Sequence, residues 1–69
     1  MRVMHVSGRA VAILFTDEAL PPEQRLASMV GAALVRTGHK PWPHVEAECF
    51  TAGDEALVIA RPGEAPHPV

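Results

Sequence analysis

Sixty-nine residues make one small domain, of a size at which a single core supplies only about 3 to 5 kcal/mol of net stability. With 48% apolar residues, a formal net charge of -2 and a pI near 6.0, the chain reads as a soluble globular protein and not as a nucleic-acid domain, which needs a basic patch. No apolar run reaches the roughly 18 residues of a membrane span, and the N-terminus lacks the charged, apolar and small-residue order of a signal peptide, so a cytoplasmic location without membrane contact is expected.

Residues 2–16 predict a first hairpin. Arg2 to Val6 leads through a Ser7-Gly8 turn into AVAILF, Ala10 to Phe15, and a two-residue turn pairs Val6 with Arg9 and Met4 with Val11. Met4, Val11, Ile13 and Phe15 then share one face, while Val3, His5, Ala10, Ala12 and Leu14 share the other. Both faces are apolar enough for burial, whereas a sheet covered on one side only should turn a polar face to water.

Pro21-Pro22 suits the first turn of a helix, where the donor that proline lacks would be unpaired anyway. Glu23 favours the start through the helix dipole. Leu26, Met29, Val30, Ala33 and Leu34 follow at the spacing of one apolar helical face. The helix should end near Thr37, with Gly38 in the left-handed cap position and Pro41 soon after. Its roughly 16 residues would span about 24 Å, enough to cover one face of a four-stranded sheet.

Residues 42–62 predict the second hairpin. Val45, Ala47 and Cys49 alternate with His44, Glu46 and Glu48, the period of a half-buried strand. A three-residue Thr51-Ala52-Gly53 loop pairs Phe50 with Asp54 and places Val45, Ala47, Cys49, Leu57 and Ile59 on one face. A two-residue loop would set Leu57 and Ile59 beside glutamates, so the odd loop is the expectation. The result is an α+β domain over residues 1–61, ordered ββαββ, with a four-stranded antiparallel sheet and one helix packed on one face. Residues 62–69, with three prolines and a glycine from position 62 onward, read as a flexible proline-rich tail.

Chemistry is sparse. The five glycines form no phosphate loop and Ser7-Gly8 is no nucleophile elbow, so no catalytic residue and no cofactor is expected. His44, Glu46 and Glu48 share a strand face and could bind a metal or a small ligand, yet alternation demands polar residues on a solvated face in any case. Cys49 could act as a nucleophile with His5, His39 or His44, but its place on the apolar side of a strand predicts an inert core thiol. Trp42, bracketed by Pro41 and Pro43, is either an interface anchor or a lid over the end of the helix, and its bond to Pro43 is a candidate for the cis isomer. Trp42, His44, Glu46 and Glu48 together form the expected interaction surface. One cysteine allows no internal disulfide and the histidines show no metal spacing, so oligomerisation is the remaining support for so small a core; a homodimer is expected.

The strand pair around HVSGRAVAILFT and the hairpin VEAECFTAGDEALVIAR give the chain a resemblance to the N-terminal domain of the MecA adaptor family, proteins that deliver substrates to a Clp-type unfoldase. The likeness covers most of residues 3–61. It implies the ββαββ fold and a protein-binding role without catalytic residues. The second domain, through which that family engages the unfoldase, has no counterpart in these residues, so delivery to a protease does not carry over.

Overall fold

The computed structural model describes residues 1–65. Four strands, β1 (Arg2–Val6), β2 (Val11–Thr16), β3 (Val45–Ala52) and β4 (Glu55–Pro62), and one helix, α1 (Glu23–Arg36), follow in the order ββαββ. All pairings are antiparallel and the sheet order is β1-β2-β4-β3. The two hairpins thus meet through β2 and β4, leaving β1 and β3 as the sheet edges.

The helix runs over 14 residues and buries Val30, Ala33 and Leu34, with Leu26 and Met29 packed at the margin. Its end is a Schellman motif. Gly38 takes φ +83°, its N–H reaches the Val35 carbonyl at 3.1 Å, and the His39 N–H reaches the Leu34 carbonyl at 2.8 Å, pairing acceptors that a helix end otherwise leaves unsatisfied. Thr37 Oγ1 adds a donor to the Ala33 carbonyl at 2.9 Å.

Against this helix lie Val11, Ile13 and Phe15 of β2 and Ala56, Val58 and Ala60 of β4, which complete the buried core. The inward side of β4 is therefore its smaller set of residues, and Leu57 and Ile59 face the other way. This overturns the expected register of the second hairpin. Ala52 pairs with Glu55, Phe50 with Leu57 and Glu48 with Ile59, across a two-residue Gly53-Asp54 turn. Gly53, at φ +59°, supplies the positive φ that a type II′ turn requires at its first central position. The Asp17 N–H, donating to the Asp54 carbonyl at 2.9 Å, ties that turn to the end of β2.

The first hairpin also differs from expectation. Val6 pairs with Val11, not Arg9, and the Ser7 hydroxyl caps the turn by accepting from the N–H groups of Arg9 at 3.2 Å and Ala10 at 3.0 Å. A register shift between Val3 and His5 leaves Met4 unopposed as a bulge. Val3 consequently sits opposite Ile13 on the helix side, and His5 opposite Ala12 on the open side.

Pro62 closes β4 opposite Val45, and the Gly63 N–H donates to the His44 carbonyl at 2.8 Å. The first residue read as tail thus belongs to the sheet and the second is hydrogen-bonded to the segment before β3, while positions 66–69 of that tail lie outside the described residues. Among the described residues no helix is long and apolar enough to cross a membrane.

Candidate functional site

Among the strands, α1 approaches β1 and β2 most closely. Two outer strands placed on opposite sides of an off-centre helix have unequal fates: Val6 of β1 is half-buried, whereas Ala47, Cys49 and Thr51 of β3 are exposed, although their partners Ala60, Val58 and Ala56 are core. The uncovered strip is a groove of about 560 Å³ between the first half of α1 and the inner face of β3. Leu26, Ala27 and Val30 form one wall and Val45, Ala47 and Cys49 the other, with Trp42 at one end.

Cys49 is therefore exposed, not the core thiol expected from alternation. It stands on the side that alternation assigns, but the helix does not extend over an edge strand. His5, proposed as a base for it, lies on the opposite face of the sheet at the far edge, and the ring of His39 is engaged with Thr37 Oγ1 at 3.0 Å.

Trp42 folds back against the core and also borders the groove. Its ring packs against the core cluster and its Nε1 donates to the Gly8 carbonyl at 3.2 Å, while its outer part closes the groove. Its bond to Pro43 is trans, as are all the peptide bonds described.

His44, Glu46 and Glu48 also border the groove, so the four residues singled out in the sequence come together at one edge. The register nevertheless turns the two carboxylates to the open side, where Glu46 opposes Arg61 and Glu48 forms an ion pair with it. That pairing, helped by the nearby charge of Glu46, raises the Arg61 pKa above its ordinary value, foremost through the hydrogen bond to Glu48. Among the described residues no three His, Cys, Asp or Glu side chains are placed to hold a metal ion.

The two free edges are unlike. β1 has five residues and a bulge, devices that discourage strand pairing, whereas β3 offers eight residues in unbroken register without proline or glycine. Sequence reasoning missed this edge and its groove, since both depend on the sheet order. The traceable signal was the pair of small residues Ala47 and Cys49 on one side of a long strand.

Comparison with family models, with curated proteins and with solved structures gives no match.

Proposed function

We propose that this chain is a non-catalytic, adaptor-like protein-interaction module that takes an extended segment of another protein along β3 and assembles as a homodimer through the opposite face of its sheet. The observation that carries the reading is the apolar groove running beside a free eight-residue strand edge. Edge backbone groups give a docked strand its hydrogen bonds, and alternate side chains of that strand enter the pocket alongside, which is the logic of strand addition. The rim carries Glu23, so the favoured segment is apolar with a flanking Lys or Arg. A binding role of this kind accords with the resemblance to the MecA N-terminal domain, and a cytoplasmic setting with the exposed thiol.

The test is hydrogen exchange with an extended peptide of alternating apolar and basic residues. Protection of amides within Val45–Ala52, together with affinity at least tenfold weaker in Cys49→Arg and unchanged in Val35→Arg, supports the reading. Absence of protection there, or indifference to Cys49→Arg, overturns it. A small-molecule ligand is the second reading, favoured by a groove volume in the range of roughly 300 to 1,000 Å³ typical of ligand sites; it would protect the groove floor without ordering the strand edge.

A further inference from the structure

The open face of the sheet, opposite the helix, is apolar along its middle, with Arg2 and His5 of β1 at one side and Glu46 and Glu48 of β3, partly compensated by Arg61 of β4, at the other. The registers set its residues in two rows across the strands β1, β2, β4 and β3. One row reads Arg2, Leu14, Leu57, Phe50 and the next His5, Ala12, Ile59, Glu48. Phe50 is 53% exposed, and no element of the described chain covers the centre formed by Leu14, Leu57 and Ile59.

We infer that a second copy of this chain covers this face, packed sheet on sheet about a two-fold axis that runs parallel to the strands between β2 and β4. The inference rests on the homodimer reading above and adds its geometry. Rotation about that axis exchanges β1 with β3 and β2 with β4 while keeping each row level. Leu14 then meets Leu57 of the other copy, and the small Ala12 meets the large Ile59, so knobs face gaps. At the sides His5 faces Glu48 across the interface, and Arg2 faces the ring of Phe50, an arrangement that suits cation–π attraction. The relative rotation of about 30° between packed sheets moves the outer strands by roughly one residue, within reach of these long side chains.

A two-fold axis perpendicular to the strands gives the opposite result. It sets β1 on β1, bringing Arg2 and His5 against their own copies, and β3 on β3, bringing Glu46 and Glu48 together. Arg61 compensates one of the two glutamates in each copy, which leaves a net negative charge facing its like, and juxtaposed like charges are what specific interfaces avoid, so charge complementarity favours the parallel axis. The molecule is a plate of 39 × 32 × 17 Å and this face lies on one of its broad sides, so a second sheet can lie flat against it.

The experiment reads assembly and geometry separately, on the full chain. Sedimentation should give twice the 7.4 kDa of one chain, reduced to a folded monomer by Leu57→Arg at the centre of the face and unaffected by Val35→Arg on the exposed side of the helix. A monomeric parent protein overturns the homodimer reading and this geometry with it, whereas a folded Leu57→Arg protein that stays dimeric retains the homodimer and overturns its placement on this face. The axis is then read in a Cys49→Ser background with a bismaleimide matched to the spacing of about 10 Å between packed sheets. His5→Cys chains mixed with Glu48→Cys chains should cross-link, and neither should do so alone. A dimer in which His5→Cys links to itself, or in which the mixture yields no link, retains the homodimer and overturns the axis.

Discussion

The indole Nε1 of Trp42 donates to the carbonyl of Gly8 at 3.2 Å, joining two points 34 positions apart in the chain. The bond fastens the segment leaving α1 to the turn of the first hairpin. Helix exit and hairpin therefore hold each other. Trp42→Phe should keep the packing and lose the hydrogen bond, about 1 kcal/mol, whereas Trp42→Ala also loses contact with the core and should cost about 2 to 4 kcal/mol. Urea unfolding followed by circular dichroism measures both. Equal costs for the two variants would mean that the ring packs without effect.

Cys49 provides a second check, on where the helix stops covering the sheet. Its exposure on an edge strand predicts that a thiol reagent labels the folded protein at a rate close to that of the unfolded chain. Labelling that waits for global unfolding would place α1 over β3 and close the groove.

The helix and its cap were legible in the sequence because their signals are local. The spacing of Leu26, Met29, Val30, Ala33 and Leu34 marks the buried stripe, and Gly38 before Pro41 marks the end, whatever the rest of the chain does. The strand registers were not legible in the same way. β4 lies inside the sheet and is apolar on both faces from Ala56 to Ala60, so alternation could not choose between them, and the bulkier Leu57 and Ile59 looked like the inward pair. The choice is made by α1, which packs against the smaller Ala56, Val58 and Ala60. Of the candidate site, Trp42, His44, Glu46 and Glu48 were found because prolines and alternation mark them. The groove was not, since nothing local states that β3 is an edge.

The helix cap itself can be tested. A Cβ added at Gly38 meets no atom within 4 Å, so Gly38→Ala carries only the backbone cost of a left-handed conformation, about 1 to 2 kcal/mol. Gly38→Asn should recover part of it, because asparagine tolerates that region. Thermal unfolding of the two variants gives the order directly, and an alanine variant as stable as the parent would contradict the Schellman end.

The ion pair between Arg61 and Glu48 should respond to salt and not to moderate changes of pH at the arginine. A cation whose pKa is raised in the folded state stabilises the fold fully below its unfolded value, and that contribution is lost only as pH rises through the folded one. For Arg61 this window lies far above neutrality. Both side chains are exposed, so Arg61→Gln should lower the thermal midpoint slightly in dilute buffer and leave it unchanged near 1 M salt, where the screening length falls to about 3 Å. A deficit that persists at high salt would indicate that Arg61 acts through packing.

The assignment of the two sheet faces is tested by two isoleucines on neighbouring central strands. Ile13 is 1% exposed against the helix, and Ile59 is half-buried on the open side. Ile13→Ala should cost about 2 to 5 kcal/mol, comparable with the whole stability of a domain this small, and should do so at every protein concentration. Ile59→Ser removes apolar surface only from the face assigned to the second copy. Its cost should appear as a lower unfolding midpoint at high protein concentration and should shrink on dilution, because the parent then loses the dimer's contribution as well. In the register first expected from the sequence Ile59 is inward. A concentration-independent collapse of Ile59→Ser would restore that register and remove the face on which the dimer is built.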